Sequence, residues 1–439
     1  MKFIKSCLFF CLFSSSAAFA NIASPAPNIP IPDSNDMMRF RIAYAQIKQF
    51  YVHDKADKEI FDNALHGMIE RLDPHSLYLD QEALKDFEAQ TEGNFVGIGV
   101  EVTMDKNLVK IISPIDGTPA SKAGLKSGDI IIAVNNAPLL DMSLTSIIKL
   151  LRGEPGSAVT LTLLDEKTKK TRSVILKRER IHVNSVRAEL IDKKYGYLRV
   201  SQFQVSTGKQ AIAAVKELEK QTNGQLAGLI IDLRNDPGGI LESAIELSDA
   251  FLDSSKLGAN KKIVYTKGRF AQASMNFNAT KEDIIHGVPI VVLINQGSAS
   301  ASEIVAGALK DHKRAVLIGQ RTFGKGSVQT LLPLDNTAAV KLTTALYYTP
   351  NGTSIQAEGI EPDIVVEDLE VKKTDENAII FNKIREQTLN NHLKNAKKNA
   401  IPIITQSKDD QSLAIKDYQL SEALNVLKAL LVMNNMRAG

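Results

Sequence analysis

The feature that most constrains the fold is an alternation of apolar runs and helical stripes that begins at Gly196. Apolar, β-branched runs at 229–233, 289–294 and 315–318 have the composition of buried strands. A helix is predicted between the first strands, with Ala211, Val215 and Leu218 on one face, and further helices begin near Gly239 and Ala299. Strands that alternate with helices in this way predict an α/β layer fold.

The regions before this core have different patterns. Residues 93–180 contain short strands and glycine turns, which indicate a small β-rich module. Residues 37–92 are predicted to be helical because apolar residues recur at three- and four-residue steps, and Pro74 ends the second helix. The first stripe consists of Phe40, Ala43, Ile47 and Phe50.

The region after the core, residues 369–439, begins with a segment rich in Lys and Asn and ends in a predicted helix. The apolar stripe of that helix consists of Leu420, Leu424, Leu427 and Leu431. The core itself is assigned to residues 181–368.

The N-terminus is typical of a secretory signal peptide. Lys2 and Lys5 precede an apolar run at 7–13, and a small-residue stretch ends in Ala-Phe-Ala at residue 20. An uncleaved membrane anchor is the alternative, but the run is shorter than the ~20 residues needed to span a bilayer. We therefore expect residues 1–20 to be removed and the proline-rich residues 21–36 to form a linker.

Composition narrows the class of protein. Of 439 residues, 44% are hydrophobic and 23% are charged, which is ordinary for a soluble globular protein. Lys plus Arg number 53 and Asp plus Glu number 50, so no large basic excess points to nucleic acid. The two cysteines, Cys7 and Cys11, lie within the signal peptide, so the mature chain has no disulfide and no cysteine nucleophile or metal ligand.

The first candidate for chemistry is the serine-rich segment 295–303, which follows a predicted strand and opens a helix. A serine on such a turn lies beside the free N–H groups of the helix, and these could stabilise an oxyanion. The alternative is that the serines only cap the helix, which the Ser-x-x-Glu spacing of Ser300 and Glu303 also supports.

Two glycine-containing segments are further candidates. Residues 234–239 end another strand with Gly238 and Gly239, which could supply an oxyanion donor or simply form a tight turn. Lys325 lies between two glycines, and burial there would favour the neutral amine that a general base requires. The alternative is a solvated loop lysine. The P-loop spacing is absent.

Histidine is the other common base. None of the seven histidines shows a spacing typical of a triad or a metal site. His312 follows the Ser300 helix and is expected to cap its end.

The β-rich module opens with a hydrophobic-glycine loop that comprises Phe95, Val96, Gly97, Ile98 and Gly99. Successive N–H groups of such a loop could bind a carboxylate, and the following strand could accept an extended peptide. A plain glycine turn in a small barrel is the alternative reading.

Together these segments resemble the carboxy-terminal processing, or tail-specific, proteases. The resemblance runs from about residue 60 to 366, with the motifs in the order of the family. The matching segments are residues 72–79, 97–99, 123–131, 151–153, 232–239, 295–303, 324–329, 348–352 and 359–364.

The resemblance implies a crotonase/ClpP-like spiral core with an inserted PDZ-like module at 93–180. It implies a Ser–Lys dyad with Ser300 as nucleophile, Lys325 as base and Gln329 as the residue that orients the lysine. Ala301 and one glycine of Gly238 and Gly239 would supply the oxyanion hole. The loop 95–99 would bind the C-terminus of a substrate, and no metal or cofactor is required.

The resemblance also implies a periplasmic or envelope-associated endopeptidase that forms homo-oligomers through the terminal stripes, and it raises an adaptor lipoprotein as a further partner. Two other classes remain: a PDZ scaffold on a catalytically dead fold, and an acyl-CoA enzyme of crotonase type. The intact dyad argues against the first, and export argues against the second.

Overall fold

The computed structural model describes residues 32–91, 94–105, 108–165, 169–182, 184–280, 282–369, 413 and 415–438. The predicted signal peptide, residues 21–31 of the proline-rich linker and nearly all of the Lys- and Asn-rich segment lie outside these residues, while residues 34–36 of the predicted linker belong to the first helix. The chain divides into two units, 1–63 and 64–439. No helix in the described part is long and apolar enough to cross a membrane.

The first unit contains helix α1 (Ser34–Phe50) and the beginning of α2 (Asp57–Ile69). Asp33 caps α1, because its carboxylate accepts a hydrogen bond from the amide of Asn35 at 3.0 Å. The ring of Tyr44 stacks on that of Phe61. The apolar stripe predicted for α1 is largely exposed, and 73% of the surface of Phe50 is accessible.

The second unit begins within α2 and continues through strand β1 (Leu77–Leu79) and helix α3 (Gln81–Thr91). The β-rich module follows. In chain order its elements are β2 (Asn94–Gly97), β3 (Val100–Asp105), β4 (Leu108–Pro114), α4 (Pro119–Lys122), β5 (Ile130–Val134), β6 (Ala137–Pro138), α5 (Leu144–Leu151), β7 (Ala158–Leu164), β8 (Thr171–Lys177) and β9 (Glu179–His182).

The main sheet of this module has the strand order β3-β4-β5-β7-β8, while β2 pairs with β9. Alternate residues of β7 are buried, as expected for a strand with one face on a core. In the described residues, β3 pairs with β4 alone, so one edge of β3 has no strand beside it.

The remaining elements form the core. In chain order they are β10 (Val186–Ile191), β11 (Tyr195–Val200), α6 (Thr207–Gln221), β12 (Gly228–Asp232), α7 (Leu241–Asp249), β13 (Lys262–Gly268), β14 (Asn276–Asn278), β15 (Ile290–Ile294), α8 (Ala301–Asp311), β16 (Ala315–Gly319), β17 (Ser327–Pro333), β18 (Ala339–Tyr348), β19 (Ile364–Val365) and α9 (Tyr418–Ala438).

The central sheet has the order β10-β11-β12-β15-β16-β19 and is parallel except for the β10–β11 pair. Leu229 and Ile231 of β12 face a core that contains α6, α7 and α8, whereas Ile230 faces α9. Both faces are therefore covered, which explains the uninterrupted apolar runs. The predicted α/β class with an inserted β-rich module is confirmed.

Helix α9 corrects one expectation. Its stripe was predicted to pair helices between subunits, but Leu420, Leu424 and Leu427 are buried against the central sheet of their own chain. Leu427 fits over Gly228, where an added Cβ would lie 2.6 Å from the leucine side chain. The sheet has an otherwise open apolar face, and the C-terminal helix covers it.

Candidate active site

Three neighbouring strands bring the candidate segments together. The glycine turn follows β12, the serine turn follows β15, and the lysine loop follows β16. These strands are adjacent and parallel, so their carboxyl ends meet at one edge of the sheet. Ligand sites of open α/β sheets lie at this edge.

The serine turn holds Ser300 in a strained conformation. Its backbone has φ 53° and ψ −110°, directly before α8 begins at Ala301. A residue without a glycine's freedom pays roughly 1–3 kcal/mol for such a backbone, and strain of this kind concentrates at functional sites. Ser300 is 9% exposed.

The two flanking serines brace the turn. Ser298 Oγ donates to the carbonyl of Leu233 at 2.8 Å, and Ser302 Oγ donates to the carbonyl of Asp236 at 3.0 Å. Both serines are fully buried. Their hydroxyl groups therefore link the serine turn to the glycine turn.

Glu303 joins the serine turn to the lysine loop. Its Oε2 accepts hydrogen bonds from the amides of Ser300 and Lys325, each at 2.8 Å. Its Oε1 accepts from the amide of Gly324 at 2.7 Å and from Thr322 Oγ1 at 2.5 Å. Burial raises the pKa of Glu303, and these four donors oppose the rise by favouring the carboxylate.

From the sequence, Glu303 is predicted only to cap the helix. Its second role depends on residues about twenty positions further along the chain, and no local pattern announces them. The only sign of this second role in the sequence is a carboxylate at a helix position that would be buried.

The side chain of Lys325 pairs away from Ser300. It is 8% exposed, and its Nζ lies 3.9 Å from Oε1 of Glu101, on strand β3 of the β-rich module. Within the described residues, no hydrogen bond joins Nζ to Ser300 Oγ. The backbone atoms of the proposed dyad are thus tied together through Glu303, while the lysine ammonium group pairs with the module.

Gln329 likewise pairs elsewhere. Its Nε2 donates to Ser327 Oγ at 2.8 Å and lies 3.4 Å from Thr343 Oγ1. The role of Gln329 in orienting Lys325 stays a prediction.

A second lysine and a histidine lie near Lys325. Burial, together with the positive charge of Lys325, lowers the pKa of Lys341 to about 8. Burial and these two lysines lower the pKa of His75 to about 4. Asp73 anchors this segment, because its carboxylate accepts hydrogen bonds from Ser76 Oγ at 2.7 Å and from Thr343 Oγ1 at 3.1 Å. Lys341 and His75 were not among the predicted site residues.

His312 is at the other end of α8, as predicted. It is the C-terminal cap of that helix, with its amide bonded to the carbonyl of Ala308. Its Nε2 lies 2.6 Å from the carbonyl of Lys262.

The glycine turn lies against the serine turn. A Cβ added to Gly238 would come within 2.8 Å of the amide nitrogen of Ala301, so only glycine leaves that N–H open. The amide of Gly238 itself donates to Asp236 Oδ1 at 2.8 Å. In the described part of the chain, the amides of Ala301 and Gly239 have no hydrogen-bond acceptor.

Charged residues hold this turn at the end of β12. Arg234 pairs with Asp232 at 2.6 Å and with Asp417 at 2.7 Å, at the start of α9. Burial alone would raise the pKa of Asp232, but Arg234 and Arg199 hold it well below its usual range. The C-terminal helix therefore contributes to the position of the glycine turn.

The predicted carboxylate loop connects β2 to β3. Phe95 and Val96 lie in β2, opposite Ile181 and Arg180 of β9. Ile98 is buried in the core of the module, and its carbonyl accepts the amide of Ala120 at 2.9 Å. The loop precedes β3, whose free edge has the geometry that an added peptide strand requires.

The two loop glycines differ. A Cβ at Gly97 would meet its nearest atom at 3.9 Å. At Gly99, where φ is +80°, it would collide with the side chain of Thr118 at 2.2 Å. A side chain at Gly99 is therefore expected to disturb the fold, whereas an added Cβ is accommodated at Gly97.

Three family models match the chain. The model described as peptidase family S41 matches residues 194–366, a PDZ domain model matches residues 110–165, and a model described as the N-terminal domain of the activating protease CtpB matches residues 17–83. The first two matches fall within the α/β core and the β-rich module.

Similar proteins carry consistent descriptions. A carboxy-terminal-processing protease of Bartonella bacilliformis is 42% identical over 367 residues, which cover 83% of this chain and 83% of that protein. The carboxy-terminal processing protease CtpA of Bacillus subtilis is 38% identical over 328 residues, 74% of this chain and 68% of the relative. Among solved structures, a photosystem II D1 C-terminal processing protease is 31% identical, with a TM-score of 0.62 over 76% of this chain and 88% of its own.

Proposed function

Because this chain belongs to peptidase family S41, among its carboxy-terminal processing proteases, and is thus a serine-type peptidase, we propose that it works by a Ser300–Lys325 dyad on proteins selected through their C-termini. The observation that carries the proposal is the bridge at Glu303, whose Oε2 accepts the amides of both Ser300 and Lys325 at 2.8 Å. That bridge keeps the nucleophile turn and the base loop in fixed register.

Acylation begins when neutral Lys325 takes the proton of the Ser300 hydroxyl. Ser300 Oγ then forms a bond to the scissile carbonyl carbon, and the tetrahedral intermediate collapses as the C–N bond breaks. The lysine ammonium returns its proton to the leaving amine. In the second half, water attacks the ester with Lys325 again as base, and the acid product leaves Ser300 free.

The negative oxygen of each intermediate needs donors. We assign these to the amides of Ala301 and Gly239, which are open, rather than to the amide of Gly238, which donates to Asp236. Gly238 instead serves by having no side chain over the amide of Ala301.

For the reaction, Nζ of Lys325 has to leave Glu101 and approach Ser300 Oγ. Glu101 belongs to the PDZ module, so a change in that module on binding of a peptide would release the base. Gln329 would then turn from Ser327 towards the lysine.

Substrate selection is assigned to the PDZ module. Its loop 97–99 offers backbone N–H groups for a terminal carboxylate, and the free edge of β3 offers backbone hydrogen bonds to an extended peptide. Substrates are therefore proteins with a free, apolar C-terminus. An adaptor lipoprotein stays a prediction.

Location and assembly are also proposals. The features of residues 1–20 support export, and the periplasm of a Gram-negative cell is the corresponding compartment. The exposed apolar residues of α1, Phe40, Ile47 and Phe50, support a homo-oligomer formed through the N-terminal unit.

One experiment tests the catalytic assignment. Cleavage of an unstructured reporter with a free apolar C-terminus is measured for the wild type, Ser300→Ala and Ser302→Ala. Only Ser300→Ala should abolish turnover, because Ser302 braces the turn through the carbonyl of Asp236. Substantial activity in Ser300→Ala together with loss in a folded Ser302→Ala would move the nucleophile and refute the assignment.

A second comparison tests selection. The reporter is offered as the free acid and as the C-terminal amide to the wild type and to Gly97→Leu, a site where an added Cβ meets its nearest atom at 3.9 Å. The amide and the Gly97→Leu enzyme should both give slower cleavage. Equal cleavage of acid and amide by the wild type would refute capture of the carboxylate.

A further inference from the structure

The carboxyl group of Asp236 is buried beside the proposed oxyanion site, and one of its two oxygens has no hydrogen-bond partner in the described part of the chain. The residue is 0% exposed. Its Oδ1 accepts the amide of Gly238 at 2.8 Å, and its Oδ2 is buried without a hydrogen-bond partner in the described part of the chain. A charged oxygen in that position would be desolvated and uncompensated, so the site favours the neutral acid.

The charged groups around Asp236 do not reverse this preference. Arg199, on β11, acts on Asp236 by its positive charge, but it pairs with Asp116 at 2.8 Å and donates to the carbonyl of Asp232 at 3.1 Å. Asp116 adds negative charge, and from α8 the Ser302 hydroxyl donates to the main-chain carbonyl of Asp236. Burial dominates and raises the pKa of Asp236 to about 8, although Gly238, Arg199 and Ser302 oppose the rise.

Asp236 also contacts both segments that flank the nucleophile. Its carbonyl accepts the amide of Ala299 at 2.9 Å as well as the Ser302 hydroxyl at 3.0 Å. Its carboxyl fixes Gly238, whose Cα lies against Ser300 and the amide of Ala301. The residue therefore spans the pocket in which the substrate oxygen becomes negative.

We propose that Asp236 is a positioning residue of the oxyanion pocket and acts as the neutral acid: one oxygen holds the Gly238 amide, and the proton on the other keeps negative charge away from the developing oxyanion. The inference rests on the proposed Ser300–Lys325 reaction. An ionised carboxylate so close to the pocket would repel the intermediate in a site of low dielectric. A carboxylic acid that burial keeps neutral is a known catalytic device.

The first test is the pH profile of cleavage by the wild type and Asp236→Asn. Asparagine keeps a carbonyl oxygen for the Gly238 amide and cannot ionise. The wild-type kcat should fall as the pH rises through about 8, with little change in KM, whereas Asp236→Asn should keep its plateau. The shape of each profile is compared relative to its own plateau. A descending limb that survives unchanged in a folded Asp236→Asn would overturn the proposal.

The second test does not depend on turnover or on the folding of Asp236→Asn. Aspartate Cγ resonances of 13C-labelled enzyme are followed by NMR against pH in the Ser300→Ala background. One aspartate carboxyl should titrate near pH 8, and its signal should be missing from Ser300→Ala/Asp236→Asn where that variant folds. If all aspartates titrate in the acidic range, the proposal is refuted. Failure of the Ser300 assignment would appear in the cleavage assay alone, so the two failures are distinguishable.

Discussion

Nζ of Lys325 lies 3.9 Å from Oε1 of Glu101, and this ion pair joins the proposed catalytic base to the PDZ module. The lysine side chain is 10% exposed and the glutamate side chain 29% exposed, so solvent screens the pair only partly. The attraction between the opposite charges holds Nζ beside the module, away from a hydrogen bond with Ser300 Oγ. The module therefore restrains the base in this arrangement.

Neutralising Glu101 should release that restraint. In Glu101→Gln the lysine side chain loses its charged partner and can turn towards Ser300, so kcat/KM at neutral pH should rise several-fold. Glu179→Gln is the matched control, because Glu179 pairs with Lys122 at 3.9 Å within the same module. An unchanged kcat/KM in Glu101→Gln, or an equal rise in both variants, would show that the pair does not restrain the base.

Replacing Lys325 by arginine discriminates a lysine base from a histidine base. Arginine retains the positive charge but stays protonated to above about pH 12, so Lys325→Arg should be as inactive as Lys325→Ala. His312→Ala should turn over within a few-fold of the wild type, because His312 caps the far end of α8. The measurement is kcat for cleavage of the reporter peptide by the wild type and by each variant. An active Lys325→Arg, or a folded His312→Ala without activity, would restore a histidine mechanism.

Glu303 should be required for the geometry of the dyad. Glutamine in its place has one acceptor oxygen and presents an NH2 group to amides that need an acceptor. Glu303→Gln should lose roughly 100-fold in kcat, as expected for small displacements of catalytic groups, and about 1–3 kcal/mol of stability. Thr322→Val removes the hydroxyl that donates to Oε1 and accepts the Ile360 amide at 2.7 Å, but it leaves the three amide donors to Glu303 in place and should cost much less activity. Wild-type kcat in Glu303→Gln would contradict this role.

The raised pKa of Asp236 also affects stability. The folded protein holds this proton up to about pH 8, whereas the unfolded chain releases it near the ordinary value of 3.8. Between these values the native state binds more protons, so this residue lowers stability as the pH rises. In chemical denaturation, the free energy of unfolding of Asp236→Asn relative to that of the wild type should therefore increase by about 1.4 kcal/mol per pH unit between about pH 4 and pH 8. A difference that does not vary with pH in this window would contradict the assignment.

Local patterns in the sequence determined the class of the fold. Uninterrupted apolar runs such as 229–233 and 289–294 require a sheet covered on both faces, and the helical stripes between them supply the cover on one face. The motifs and their order also indicated the site through their resemblance to a known family. In the structure, adjacent parallel strands end at one edge of the sheet and bring residues 234–239, 295–303 and 324–329 together.

Only the tertiary structure decided how the site is held and restrained. Glu303 Oε2 accepts a hydrogen bond from the Lys325 amide, and Glu101 forms an ion pair with Nζ of the same lysine. Asp417 forms an ion pair with Arg234. Each pair joins segments that are far apart in sequence, so no periodicity or motif contains it. Helix α9 is a further example. Its apolar stripe could pack on any apolar surface, and it packs on its own sheet because the face that contains Gly228 and Ile230 is otherwise uncovered. The sequence shows which chemical groups each residue carries. The burial that raises the pKa of Asp236, and the pairing of Lys325 with Glu101, arise only when segments that are distant in the sequence pack together and exclude water.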